Sequence, residues 1–186
     1  MATSALTPTW RQMTPNDIKG ILHVTGLIHP SLPESDFVFL ERMSLFPEGC
    51  FVLASSSNDH DDDQSSNIHG YAISHPILMN SPPKLDTLLG SIPTEVDNSK
   101  SQFYLHDVAI LPEWRGKGFA KECISRLLGI AERRGHETTC LVSVYGTGAF
   151  WGQYGFVRPE KVDEALEKKV RGYGGDAVFL VRRNNV

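Results

Sequence analysis

Apolar and polar positions change period in a regular order along this chain, and that order predicts its elements. Residues 9–13 predict a first strand. Thr14-Pro15-Asn16-Asp17 then reads as a helix start, with Thr14 as N-cap, proline in the first helical position and an acid in the first turn. The helix, over 15–28, ends before Pro30, and a second one covers 35–44 after the break at Pro33. Residues 49–54 and 68–75 pair as a hairpin around a polar loop. Prolines and the lack of any period make 77–101 a long loop, with one turn of helix at 85–89, and a loop that long is often functional. Residues 102–110 are dense in aromatic and β-branched side chains, as a strand should be. Leu111, Pro112 and Glu113 break it, because proline cannot continue a ladder. From Lys117 helical spacing returns, with Ala120, Ile124, Leu127, Leu128 and Ala131 on one face. A strand over 138–144, a short helix over 162–170 and a strand over 176–181 complete the order, with no internal repeat.

Composition narrows the class. A chain of 186 residues, 40% hydrophobic and 22% charged, has the size and make-up of one soluble domain spanning 1–186. No apolar run has the length of a membrane span, and the N-terminus lacks the basic and apolar regions of a signal peptide. Cys50, Cys123 and Cys140 are odd in number, far apart and set among apolar residues, which predicts buried free thiols and a reducing, cytoplasmic setting. Cys123 falls on the buried side of a helix with no histidine beside it, which argues against a nucleophile. A formal net charge of −4 argues against a nucleic-acid partner, which requires a basic footprint. Much of the excess lies in 55–67, whose composition predicts a flexible loop. His60 among its aspartates could suggest a metal, but a solvated loop is the reading adopted, and no metal is expected. His69 and His75 show no ligand spacing either.

The candidate chemistry lies between the central strand and the helix that follows it. Arg115-Gly116-Lys117-Gly118-Phe119-Ala120 reads R-x-x-G-x-A. Two glycines let the backbone approach a ligand closely. The helix N-terminus adds unpaired N–H groups and a partial positive charge, and Arg115 and Lys117 add full ones, which together suit a pyrophosphate. The plain alternative is a basic loop before an ordinary helix. No G-K-[ST] follows, so it is no Walker loop, and the three-glycine dinucleotide pattern is absent.

Strand, turn, loop and helix occur here in the order found in the acetyl-CoA signature of the GCN5-related N-acetyltransferases, the GNAT superfamily, whose motif [RQ]-x-x-G-x-[GA] this segment resembles. Residues 138–144 (TTCLVSV) resemble that family's fifth strand, and Phe150-Trp151-Gly152-Gln153-Tyr154-Gly155-Phe156 resembles its F-Y-x-x-x-G-F ending. The good match spans about 102–156; the flanks agree in length and element order. The resemblance implies a mixed α/β fold, with a strongly twisted central sheet of about six to seven strands flanked by helices. It implies acetyl-CoA as co-substrate, in a monomer or homodimer. Backbone groups of Val108, Ala109 and Ile110 would pair with the pantetheine arm. The N–H groups of Gly116, Lys117, Gly118, Phe119, Ala120 and Lys121 would face the pyrophosphate, with Arg115 opening the loop.

Acetyl transfer to an amine requires the neutral amine. An alkylamine has a pKa of about 10, so the neutral form costs about 4 kcal/mol at pH 7 and a positioned proton acceptor matters. His106, on the strand leading to the loop, is the candidate; a packed strand histidine is the structural alternative. Strand alternation places Tyr104 and His106 on one face and Leu105 and Asp107 on the other. Tyr104-x-His106 resembles the H-x-H pair of arylalkylamine N-acetyltransferases with its first histidine replaced, which puts a two-histidine relay in doubt. Asp107 is the competing base. Many relatives carry a tyrosine acid where this chain has Trp151, whose indole cannot release a proton at neutral pH, so Trp151 is expected to wall the pantetheine or substrate. Tyr145 and Tyr154 are the candidate replacements for the acid. The net negative charge suits a cationic amine, and Pro47-Glu48-Gly49-Cys50 also resembles arylalkylamine or polyamine acetyltransferases, favouring a small primary amine. Phe37, Phe39, Phe46 and Tyr71 could line its pocket. Two alternatives stay open: a protein N-terminus or lysine as acceptor, and a non-catalytic acyl-CoA-binding module.

Overall fold

Strand β1 (Thr9–Gln12) opens the chain in a computed structural model that describes residues 7–55 and 67–186. Thr14 and Asp17 close the next turn, Asp17 accepting bonds from the Thr14 N–H (2.8 Å) and hydroxyl (2.9 Å). Helices α1 (Ile18–Ile28) and α2 (Asp36–Leu45) follow, then β2 (Cys50–Ala54), β3 (Ile68–Leu78) and β4 (Ser101–Ile110). After β4 come α3 (Phe119–Arg133), β5 (Thr138–Ser143), α4 (Gly148–Gly152), α5 (Glu164–Arg171) and β6 (Val178–Arg183). The six strands form one mixed sheet in sequence order, flanked by helices. The β4–β5 ladder is parallel and short, running from Phe103↔Thr139 to Leu105↔Leu141. Val157 adds a lone antiparallel bridge to Val181.

Two compact units divide the chain. The first takes the described residues up to Ile73 together with Asp107–Ile124. Its core joins Ile21 and Val24 of α1, Phe39 of α2, Val52 of β2 and Tyr71 and Ile73 of β3. The second unit takes Ser74–His106 and Ser125–Val186. In it Leu166 and Val170 of α5 pack with Ile77, Tyr104, Cys140 and Phe179. Asp163 caps α5 by accepting a bond from the Leu166 N–H at 2.7 Å.

Several boundaries move from their expected places. Strand β3 does not stop at His75 but runs through Pro76 to Leu78. The β2 ladder ends at Ile73, so on that side Pro76 has no ladder bond to lose. No helix forms at 85–89; those residues are turn and coil. Of the aromatics expected to line a pocket, Phe39, Phe46 and Tyr71 are core and Phe37 is 67% exposed. All three cysteines are free and buried. Burial pushes the Cys50 thiol up to about 12 although Arg42 pulls the other way. The loop expected at 55–67 falls, except for its ends, outside the described residues, His60 included; Ser55 and Asn67 at its base share a hydrogen bond of 3.0 Å.

Candidate active site

Where β4 ends, Pro112–Trp114 makes one 3-10 turn, and the chain then enters α3 through two glycines with left-handed backbone, Gly116 (φ 73°) and Gly118 (φ 91°). A Cβ at either would meet nothing within 4 Å. Within the chain itself it is the positive φ that calls for glycine at both positions. The first bond of the helix runs from the Glu122 N–H to the Gly118 carbonyl (3.0 Å). The N–H groups of Phe119, Ala120 and Lys121 therefore have no partner within the helix and project from its positive end.

Side chains brace this loop from behind. Arg115 Nε donates to the Ile110 carbonyl at 2.8 Å, tying the loop back to the strand end. Lys117 Nζ lies 4.5 Å from the centre of the Trp114 ring. Trp114 in turn meets His69 at 4.7 Å and Phe119 at 6.2 Å between ring centres. The Trp10 indole holds the Phe119 carbonyl at 3.0 Å. Upstream, a Cβ on Gly70 would stand 2.6 Å from the Ala109 carbonyl oxygen, so β3 and this part of β4 touch backbone to backbone.

Along β4 only His106, Asp107 and Val108 keep partial exposure; the other seven residues are buried. In the first unit Asp107 is the centre of a polar cluster that the sequence did not reveal. The buried Tyr71 hydroxyl donates to Asp107 Oδ2 at 2.5 Å and accepts from Thr25 Oγ1 at 2.9 Å. His29 Nε2 lies 3.2 Å from Asp107 Oδ1. Thr25 also fixes His29, whose backbone N–H caps α1 on the Thr25 carbonyl at 2.7 Å. Burial opposes a charged His29 ring, but the Asp107 carboxylate and its bond, helped by Glu34, raise its pKa against a smaller push from Arg115. Tyr71 is held well above the ordinary tyrosine value by burial first and then by the charge and bond of Asp107. Neither Thr25 nor His29 belongs to any motif.

In the second unit three rings meet. Tyr104 and His106 stand 5.8 Å apart, on one face as alternation requires, and His75 lies 5.7 Å from each. Tyr104 is wholly buried, with its hydroxyl 3.3 Å from that of Tyr173, which itself donates to the Pro83 carbonyl. Trp151 is 9% exposed and packs with Phe156 (5.6 Å), Phe150 (5.1 Å) and Tyr154 (6.4 Å). Burial raises the Tyr154 pKa. Tyr145 is 47% exposed with φ 55°, at the turn between β5 and α4. Among the described residues no three metal-binding side chains converge.

The sequence profile of the acetyltransferase (GNAT) family matches residues 32–156. No curated protein matches the chain by sequence. Solved structures of similar fold include Ard1 from Thermoplasma volcanium, at 12% identity and a TM-score of 0.64, covering 97% of this chain and 100% of that one. The NatC complex bound to Gag peptide and CoA aligns at 14% identity and a TM-score of 0.65, over 97% and 100%. N-acetylglutamate synthase from Neisseria gonorrhoeae, complexed with coenzyme A and N-acetyl-glutamate, aligns at 20% identity and 0.63, over all of this chain and 37% of that one. With two thirds of its length matched by the family profile, the chain belongs to the acetyltransferase (GNAT) family, acyltransferases that take acetyl-CoA as co-substrate.

Proposed function

We propose that this acetyltransferase moves the acetyl group to the primary amine of a small molecule, by direct attack in a ternary complex. The observation that carries the reading is the half-buried stretch His106-Asp107-Val108 in a strand that is otherwise buried. It sets a proton acceptor, His106, just before the segment that would pair with pantetheine. The β4–β5 ladder covers Phe103–Leu105 and so makes no use of Val108, Ala109 and Ile110.

The acceptor ammonium gives its proton to the His106 ring. The neutral nitrogen attacks the thioester carbonyl, the C–S bond breaks, CoA leaves as thiolate, and the nitrogen sheds its second proton to solvent water as the amide forms. An alkyl thiol has an ordinary pKa of about 8.5, so the thiolate can take its proton from water, and Trp151 need supply none. Gly116 to Lys121 would hold the pyrophosphate by backbone N–H groups.

A panel of small amines with acetyl-CoA, followed by release of free thiol, tests this. Turnover of arylalkylamines or polyamines is expected. The second reading, a protein N-terminus as acceptor, is favoured by the similar NatC structure that carries a Gag peptide, whereas the similar synthase holds N-acetyl-glutamate, a small acetylated amine. Peptides with free N-termini belong in the same panel, and acetylation of peptides alone would overturn the small-molecule reading.

A further inference from the structure

We propose that Asp107 is the carboxylate that receives the acceptor's ammonium group, and that Tyr71 and His29 are positioning residues that aim it. The inference rests on the amine-acceptor reading and adds the subsite that would recognise the cation. Asp107 immediately precedes Val108, Ala109 and Ile110, and its side chain is 20% exposed. A carboxylate placed there costs desolvation and is retained only if bonded. Tyr71 holds one oxygen at 2.5 Å and His29 faces the other at 3.2 Å, so the group cannot swing freely. Tyr71 itself is locked, being fully buried, bonded to Thr25 and set edge-on to Phe39 at 5.6 Å.

His29 also makes the subsite sensitive to pH. While the ring is neutral, Asp107 keeps its full negative charge. When the ring is protonated the two charges compensate, and the field left for an ammonium group is weaker. The charged groups that act on His29 are Asp107 from β4, Glu34 from the segment between α1 and α2, and Arg115 from the loop. Burial and Arg115 act against the protonated ring, Asp107 and Glu34 outweigh them, and the balance leaves it readier to take a proton than a free histidine.

The test is steady-state kinetics with 2-phenylethylamine and with 2,2-difluoro-2-phenylethylamine, whose fluorines lower its pKa so that at pH 8.5 it is mostly neutral. Asp107→Asn should raise KM for the charged amine by about 10- to 100-fold, the usual range for a lost bond to a charged group, and leave the neutral amine within about twofold. Tyr71→Phe and His29→Asn should raise the same KM about threefold or more, with kcat nearly unchanged. The KM of the wild-type enzyme should rise as pH falls through the His29 titration, and this rise should vanish in His29→Asn. Equal effects on both amines, or no effect, would overturn the proposal. Calorimetry of CoA binding confirms that each variant is folded; if Asp107→Asn is not, the other two variants decide. Should the wild-type enzyme acetylate only peptides, the small-molecule reading fails, and the same KM comparison is made with a peptide whose α-ammonium group is the acceptor. Should it acetylate neither, both fall.

Discussion

The loop at Gly116 and Gly118 and the clusters around Asp107 and Tyr104 are built on opposite principles. The loop works through main chain: two positive φ angles and a helix N-terminus present N–H groups, and side chains such as Arg115 and Trp114 only brace it. The clusters work through side chains gathered from far along the chain. Thr25 reaches Tyr71 across 46 residues, Tyr71 reaches Asp107 across 36 and Tyr104 reaches Tyr173 across 69. A backbone site tolerates side-chain truncation but not a change of conformation. A side-chain site fails when one functional group is lost.

The largest effect expected on the side-chain side is at His106. A general base contributes about 10²- to 10⁴-fold, so His106→Ala should lower turnover at pH 7 by that order with CoA affinity unchanged. The loss should shrink as pH approaches the amine's own pKa, where neutral amine is abundant. A full wild-type rate in the alanine variant would make His106 a packing residue. On the backbone side, Gly118→Asp should weaken CoA binding by about 100-fold or more, because it strains a φ of 91° and sets a carboxylate where phosphate is expected. Unchanged affinity by calorimetry in a folded variant would remove the loop from the cofactor site.

Gly70→Ala extends the test of backbone dependence to the neighbouring strand. Its methyl would press on the Ala109 carbonyl, and a loss of about 1–3 kcal/mol in stability is expected, read by thermal or denaturant unfolding. A variant as stable as wild type would show that the strands can part there. Trp151→Phe should be milder still and keep most of the rate, since the indole packs among rings and donates no proton. Tyr145→Phe and Tyr154→Phe belong beside it, because a large loss of turnover in either, with CoA affinity intact, would identify an acid. The smallest effect concerns His29. Its folded pKa lies above its unfolded value of about 6.5, so its pairing with Asp107 adds stability that is fully present below that value. That stability is lost as pH rises through the folded pKa. Unfolding midpoints across this range should slope downward in the wild-type protein, and His29→Asn should flatten the slope.

The order of elements, the R-x-x-G-x-A loop and the positive-φ role of its glycines were legible in the sequence because they are local. Period, helix N-terminus and turn chemistry act within a few residues, and the glycines at 116 and 118 needed no knowledge of their surroundings. The placement of Tyr104 and His106 on one face followed from strand alternation for the same reason. Where β3 ends was not legible, because Pro76 looks like a breaker until the ladder to β2 is seen to stop at Ile73. Tyr71 read as a pocket aromatic and His29 and Thr25 as nothing in particular. Only tertiary structure decided that they meet Asp107, since a contact between side chains so far apart leaves no period or spacing in the chain. The sequence by itself determined the backbone geometry of the loop, and tertiary packing decided which carboxylate, imidazole and phenol stand together.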